Sequence, residues 1–492
     1  MADRATSPAR GTVSERLLDV LGPWSEGPGP LFRKLARALA AAVERGAIPD
    51  GTRLPSERDL ARTLAVGRGT AVAAYDVLVG EGLLERRRGS GSYVAMREQP
   101  LLPSGREGSE LVHRLVAQDE ATAPGLVDLS ISVLHEPRGM RAAPATLDEL
   151  LAAVPAGTGY RPWGLPSLRR AVAEHLCDRG LPTDEHQVVI TTGAQQAISA
   201  AAACWIQPGD AVVVDDPTYP GALAAFAQAG ARVVPVPVDR HGVRVDALAE
   251  ALRARPALVY VQSTLHSPTG TVLAAARRRA VADLVATSRT PLLEDLALAE
   301  LAWHEVPPPI ASHIPEESAA VVGSLSKLFW GGLRIGFVRA PEPLALRFAR
   351  IKATRDLGSS VVSQALAEQL LRAHRHADRS FRMAADLRAR YEVMAAALGR
   401  ELPGWTWSEP QGGLSLWVRL PGDAGSTAFA QRALRAGVAV AAPGPLTASG
   451  GHHDRLRLSF APPPDQIEEG VRRLGRAWRA WTGAGGEPAD QK

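Results

Sequence analysis

The chain has 492 residues, too many for one compact core, so two or three domains are expected. A composition of 46% hydrophobic and 22% charged residues excludes wholesale disorder, and two cysteines, Cys177 and Cys204, exclude a disulfide scaffold and a cysteine-based zinc site. No run approaches about 18 uninterrupted apolar residues, so no membrane span is expected. The polar start MADRATSPARG lacks an apolar signal core, which makes the cytoplasm the expected compartment.

The net charge of +4 is unevenly spread. From Pro30 to Arg97 there are twelve basic and seven acidic residues, an excess of +5 that leaves −1 for the remainder. A basic leading segment ahead of a near-neutral body points to a polyanionic partner for that segment alone. The only lysines are Lys34, Lys327, Lys352 and Lys492. Nearly all positive charge is therefore arginine, and a lysine kept inside an apolar motif asks for chemistry specific to a primary amine.

Residues 1–29 read as a polar N-terminal extension. Leu31, Leu35, Leu39 and Val43 recur at helical spacing, ended by Gly46 and the turn Pro49-Asp50-Gly51. Ser56 is placed to cap a second helix, Glu57 to Leu64, with Asp59 three residues on as a capping-box variant. Gly67-Arg68-Gly69-Thr70 leads into a third helix, about Thr70 to Val79. Two strand-like pieces, Leu83–Arg87 and Ser92–Ala95, flank Arg88-Gly89-Ser90-Gly91. Three short helices and a hairpin within 30–97 form the pattern of a winged helix-turn-helix.

The motifs LPSER, AYDVL and EGLLERRRGSGSYV, in this order, resemble the GntR class of winged-helix repressors over nearly the whole 30–95 stretch. Short residues and an arginine at the start of the third helix suit a major groove, where Arg68 would donate to guanine O6 and N7 and Thr70 to a phosphate. Arg58 would face the same phosphates from the preceding helix. Arg88 and Gly89 sit where a wing tip enters the minor groove. The resemblance implies DNA contacts at Arg58, Arg68, Thr70, Arg88 and Gly89. Gly67 and Gly69 stand where the class commonly has Ser or Thr, which removes two hydroxyl donors.

Residues 98–125 are rich in Pro, Gly, Ser and Glu and read as a linker. From 126 to 485 strands and helices alternate, with VVIT (188–191), VVVDD (212–216), RVVPVPV (232–238), LVYVQS (258–263), PLLED (291–295) and AAVVGS (319–324) as strands. That alternation predicts an α/β domain with a doubly wound, mostly parallel sheet and sites at strand C-terminal ends. Beyond about Phe348 the pattern turns helical and then mixed, with strands GLSLWVRL (413–420) and RLRLSF (455–460), as a smaller C-terminal subdomain would. Residues 486–492 are a tail.

The segment VVGSLSKLFWGGLRIGF (321–337) ends a strand at Gly323-Ser324, places Lys327 three residues later and Arg334 seven after that. An amine there can form a Schiff base with an aldehyde cofactor while the Ser324 hydroxyl and the Arg334 guanidinium hold its phosphate. This resembles the fold type I, aspartate-aminotransferase-like pyridoxal phosphate enzymes. In ITTGAQQAISAAA (190–202) the N–H groups of Gly193 and Ala194 would point at the phosphate from a helix start, with Gln195 as a side-chain donor. Tyr219, in VVVDDPTYPGA, would stack on the pyridine, and Asp295, ending PLLED, would pair with its N–H. The resemblance further implies that Tyr160 reaches the phosphate of a neighbouring subunit's cofactor and that Arg457 clamps a substrate α-carboxylate. Singly, Asp295 reads as a helix cap, Tyr219 as core and Arg457 as an ion pair; it is their order over some 300 residues that makes a set.

Two departures bear on chemistry. Ser267 stands where many aminotransferases place an asparagine, and Ala297 where a tyrosine is usual; both donors to the ring's 3-oxygen are missing. The Schiff base should titrate differently, and His266 is the neighbouring residue able to compensate. The stretch DLSISVLHEP (128–137) also lacks the glycine often found in the substrate-covering segment.

From about 30 to 480 the chain resembles the MocR/GabR-type bacterial transcription regulators. That implies a pyridoxal phosphate-dependent DNA-binding regulator of double-stranded promoter DNA, acting as a head-to-tail homodimer with two readers on two half-sites. The effector, pyridoxal phosphate itself or a small amino compound displacing Lys327, would change the body, and the linker would pass the change to the readers. A working aminotransferase with an accessory DNA-binding domain stays open, since Lys327, Asp295 and Arg457 permit it while Ser267 and Ala297 argue against efficient turnover. A structural or corepressor-binding role with an empty cofactor site is a third reading.

Overall fold

The structure is a computed structural model, and it describes residues 20–21, 24–25, 29–44, 48, 52–80, 83–87, 91–94, 125–134, 146–315, 318–375, 379–422 and 425–483. The chain divides into two compact units, Met1–Gly105 and Arg106–Lys492. Most of the expected extension and linker, the wing tip and the tail lie outside the described residues.

In the first unit, helices α1 (Leu31–Glu44), α2 (Glu57–Thr63) and α3 (Arg68–Gly80) precede an antiparallel hairpin of β1 (Leu84–Arg87) and β2 (Gly91–Val94). The apolar stripe of α1 is buried through Leu35, Leu39 and Val43, against Leu60, Ala71, Tyr75, Leu78, Leu84 and Val94. Ser56 caps α2 by accepting from the Asp59 N–H at 3.2 Å, but its hydroxyl also donates to the Asp59 carboxylate at 2.6 Å. Asp59 thus turns to the cap side chain, not to the cap backbone. Tyr75 is fully buried, and its hydroxyl donates to the Pro55 carbonyl at 2.8 Å, which fixes α3 to the turn before α2.

The second unit is built on an eight-stranded sheet in the order β4-β11-β10-β9-β8-β5-β6-β7. Its strands are β4 (Val188–Thr191), β5 (Ala211–Asp216), β6 (Arg232–Asp239), β7 (Gly242–Val243), β8 (Leu258–Val261), β9 (Leu292–Asp295), β10 (Ala319–Ser324) and β11 (Gly336–Arg339). Neighbours from β10 through β6 are parallel; β11 runs antiparallel to both its neighbours. Near-continuous apolar strands such as LVYV and AAVV are what burial on both faces requires. One face packs under helices Pro166–Asp178, Ala275–Ser288 and Val361–Arg375 through Val259, Leu292 and Val321. The other packs under Ala194–Trp205, Pro220–Gln228 and Glu342–Asp356 through Tyr260, Leu293 and Val322.

A third core belongs to the C-terminal subdomain. There β12 (Thr406–Trp407), β13 (Ser415–Arg419) and β15 (Arg455–Ser459) form an antiparallel sheet with helices Arg379–Glu401, Ser426–Arg435 and Pro464–Thr482. The first strand of the unit, β3 (Val127–Asp128), joins this core, pairing in parallel with β14 (Val438–Ala439) and burying Val127 and Leu129 there. The start of the body is therefore stitched into its C-terminal part, a long-range pairing that two-residue strands did not announce.

Candidate cofactor site and DNA-reading unit

The site collects at the C-terminal ends of parallel strands, where the fold gathers polar side chains without interrupting the sheet. β10 ends at Ser324, and the single turn Leu325–Leu328 that follows carries Lys327. The Lys327 ammonium donates to the carbonyl of Ser132 at 2.8 Å. Burial and then the Arg457 charge push its pKa down from 10.5 to about 8, against the opposing pull of Asp295. Near neutral pH a useful fraction of the amine is unprotonated and nucleophilic.

Asp295, at the end of β9, accepts from the Tyr260 hydroxyl at 2.6 Å on one oxygen and from the Ala297 N–H at 2.8 Å on the other. Burial raises its carboxyl pKa, while the bonds from Tyr260 and Ala297 and the Lys327 charge hold it down. Tyr219 follows β5 at the start of helix Pro220–Gln228. Burial and the Asp295 charge push its phenol up to about 12, so it serves as a neutral ring. Arg334 and Arg457 act electrostatically on both Lys327 and Tyr219, as does Asp295. These five residues, more than 200 positions apart at the extremes, form one electrostatic cluster.

A cradle adjoins them. Gly193 caps the 12-residue helix Ala194–Trp205 with φ +91°, a conformation that L side chains rarely adopt. A Cβ there would lie 3.1 Å from Arg334 Nη2 and would fill the space beside the guanidinium. Arg334 donates to the Thr192 carbonyl at 2.7 Å. Gly336 lets the backbones close up, since a Cβ on it would lie 2.7 Å from the Gly193 carbonyl carbon and the Gly323 oxygen. Helix-start N–H groups, a guanidinium and bare glycine together fit a phosphate.

Gln195, the expected side-chain donor to the phosphate, stands on the first turn of the helix that Gly193 caps. Its amide nitrogen donates to the Gly221 carbonyl at 2.8 Å, bracing the turn that carries Tyr219. Tyr160 stands apart from the cluster and is 66% exposed. Arg457 is buried on β15 and donates to the Ser130 carbonyl at 2.6 Å. His266 is buried between Thr269, whose hydroxyl is 2.8 Å from Nδ1, and Asp215, whose carboxylate is 3.5 Å from Nε2. Nδ1 is hydrogen-bonded through Thr269, Nε2 has no hydrogen-bond partner among the described residues, Asp215 is held in turn by Thr218 and the Gln262 N–H, and burial lowers the ring's pKa. The Ser267 N–H donates to Gln262 at 3.1 Å.

Sequence reasoning missed Tyr260, which reads as core in LVYV, and the carbonyls of Ser130 and Ser132, which any residue type would supply. It also missed Asp216, which accepts from the Ala448 N–H at 2.7 Å and the Ser449 hydroxyl at 2.6 Å and so ties β5 to the loop preceding β15.

In the first unit Arg58 and Arg68 are exposed. Neither has an ion-pair or hydrogen-bond partner among the described residues. Arg68 opens α3, whose first turn holds no acidic residue to offset the helix's positive end. Thr70 is half-buried on the same turn. Arg86, by contrast, pairs with Asp76 at 2.8 Å and Glu57 at 3.6 Å, so part of the three-arginine run serves the fold. Arg88 and Gly89 lie outside the described residues.

Residues 124–474 match the family described as aminotransferase class I and II. The chain belongs to that family. Joined to its aminotransferase part, residues 31–94 match the bacterial regulatory proteins of the gntR family, whose helix-turn-helix binds DNA. The same two-part make-up extends to full-length relatives. The uncharacterized HTH-type transcriptional regulator YisV of Bacillus subtilis is 30% identical, over 88% of this chain and 92% of its own. The probable rhizopine catabolism regulatory protein MocR of Rhizobium meliloti is 28% identical, over 94% and 96%. Among solved structures, LysN, the α-aminoadipate aminotransferase of Thermus thermophilus complexed with N-(5'-phosphopyridoxyl)-L-leucine, is similar with a TM-score of 0.69 and 29% identity, covering 77% of this chain and 97% of that one. Pyridoxal phosphate is the cofactor that membership of the aminotransferase class I and II family implies. No described helix is long and apolar enough to cross a membrane.

Proposed function

We propose that this protein is a pyridoxal phosphate-dependent transcriptional regulator whose aminotransferase part senses a small ligand and alters DNA binding by its N-terminal reader. The observation that carries the reading is Lys327. One buried lysine with its pKa lowered to about 8 shares a cluster with Asp295 and Arg457, in a chain that begins with a GntR-type reader. The cofactor, when bound, supplies an aldehyde and an electron-withdrawing ring. Lys327 provides the amine for the aldehyde, and Asp295 holds a negative charge for the ring nitrogen. Tyr219 offers a neutral face for stacking; Gly193, Ala194, Ser324 and Arg334 hold the phosphate. Arg457 is the clamp for the carboxylate of an amino compound.

The exposed phenol of Tyr160 supports a head-to-tail homodimer in which it serves the partner's site. Such a dimer presents two readers to two half-sites, through Arg58, Arg68, Thr70, Arg88 and Gly89. The effector is pyridoxal phosphate itself or a small amino acid or amine.

A working aminotransferase is the second reading, favoured by the retained Lys327, Asp295 and Arg457. Ser267 and Ala297 place no side-chain donor of the usual kind at the ring oxygen, which weighs against turnover. The test is paired: amino-group transfer from a saturating donor to 2-oxo acids, and retention of promoter DNA with and without pyridoxal phosphate. Ligand-dependent DNA retention without turnover supports regulation; robust turnover with no DNA retention overturns it.

A further inference from the structure

The two cationic groups of the site are held by one short stretch of backbone. Lys327 donates to the carbonyl of Ser132 at 2.8 Å and Arg457 to the carbonyl of Ser130 at 2.6 Å. The lysine lies on the turn after β10 and the arginine on β15, so the 130–132 backbone bridges the large sheet and the C-terminal subdomain. The stretch is shaped by its own side chains. One oxygen of Asp128 accepts from both the Ser130 N–H at 2.7 Å and the Ser130 hydroxyl at 2.6 Å. Upstream it is anchored by β3–β14 pairing and by the Leu129 carbonyl, which accepts from the Ser459 N–H at 2.6 Å. Downstream, Val133 fits against the bare backbone of Gly331, where a Cβ would come within 2.7 Å of it. The Ser132 hydroxyl is buried with no hydrogen-bond partner among the described residues. In sequence this stretch lies in the first described segment of the second unit, residues 125–134.

We propose that residues 130–132 are the element that reports site occupancy to the DNA reader, because the carbonyls of Ser132 and Ser130 compete with ligand for Lys327 and Arg457. This rests on the reading of the protein as a pyridoxal phosphate-dependent regulator. When the Lys327 amine condenses with the cofactor aldehyde, a C=N bond replaces C=O, and water leaves with the aldehyde oxygen and two nitrogen-bound hydrogens. The nitrogen then keeps at most one N–H, fewer donors than the free amine offers the Ser132 carbonyl. A ligand carboxylate at Arg457 offers a charged acceptor in place of the neutral Ser130 carbonyl, the stronger partner for a guanidinium. Each event withdraws a donor from one carbonyl of the stretch, buried at Ser130 and partly buried at Ser132, and a carbonyl shielded from water without a donor is costly, which favours a rearranged backbone. The differential contact that a ligand-driven switch requires lies here, in the described segment of the body that comes first after the reader in sequence.

The test uses the full chain and a DNA fragment from upstream of its own gene. DNA affinity is measured with no addition, with pyridoxal phosphate, and with pyridoxal phosphate plus L-alanine. Lys327 modification is read separately by mass after borohydride treatment. Wild type is expected to change affinity at least fivefold between two of these conditions. Asp128→Ala, which releases the Ser130 turn without touching cofactor or DNA, is expected to be modified at Lys327 as wild type is, yet to change affinity less than twofold. An unchanged wild-type-sized response in Asp128→Ala overturns the proposal while leaving the regulator reading intact. A wild type that is modified but shows no response overturns the regulator reading, and the proposal with it. Should Asp128→Ala fail to fold, Asp128→Leu, close to Asp in size but with no acceptor oxygen for the Ser130 N–H and hydroxyl, is judged in its place: a reduced response supports the proposal and an undiminished one overturns it.

Discussion

Tyr260 donates its hydroxyl to Asp295 across 2.6 Å, from β8 to the end of the adjacent strand β9. The bond is buried and stabilises the ionised carboxylate, the form that pairs with a protonated ring nitrogen. Tyr260→Phe is therefore expected to raise the Asp295 pKa further and weaken pyridoxal phosphate binding several-fold. Loss of one buried bond to a charged group costs about 1.5–3 kcal/mol of stability. Cofactor titration by absorbance and denaturant unfolding check the two effects.

The lowered pKa of Lys327 has two consequences of definite sign. The rate of pyridoxal phosphate incorporation should rise with pH through a midpoint near 8 and level off above it, not climb toward 10.5. Without cofactor, the folded state binds fewer protons at Lys327 than the unfolded state between about pH 8 and 10.5, so stability gains from this group as pH rises through that window. Below pH 8 the buried charge is an unrelieved cost. Lys327→Met should thus be more stable than wild type at pH 7, by a margin that shrinks above pH 8. Thermal unfolding at pH 7 and pH 9.5 measures the margin.

Gly193→Ala places a side chain at φ +91° and a methyl 3.1 Å from the Arg334 guanidinium. The strain is about 1–3 kcal/mol. The methyl fills the cradle. Cofactor retention should fall at least tenfold while DNA binding without cofactor is unchanged, as equilibrium dialysis and gel retardation will read.

Arg68→Ala and Arg58→Ala should each weaken DNA binding and leave cofactor uptake intact. Each phosphate contact removed should lower the salt dependence of log affinity by about one. A base contact by Arg68 would instead relax sequence preference. Tyr75→Phe, which deletes the bond to Pro55, should lower the stability of the first unit by about 1 kcal/mol without altering its charge.

Much of this fold was legible because periodicity is a physical record of burial. Leu31, Leu35, Leu39 and Val43 announced α1, and the apolar runs VVIT and AAVVGS announced strands covered on both faces. The segment Gly336–Arg339 was not read as a strand, because it directly follows the Lys327 loop and its pairing with β4 and β10 is long-range. The strand ends at which Lys327, Asp295 and Tyr219 stand were legible: Asp295 closes β9, and Lys327 and Tyr219 follow the ends of β10 and β5. The bond from the Gln195 amide to the Gly221 carbonyl was not, because an amide serves a phosphate or a carbonyl equally well. The carbonyls of Ser130 and Ser132 leave no trace in side-chain chemistry, and they bind the two groups on which the site depends.

The most direct measurement is DNA affinity with and without pyridoxal phosphate, for wild type and Lys327→Ala in parallel, with the cofactor linkage read by mass after borohydride treatment. The account predicts an adduct at Lys327 in wild type alone, together with a change in DNA affinity that Lys327→Ala no longer shows. Equal responses in the two proteins, or a wild type that takes up no cofactor, would contradict it.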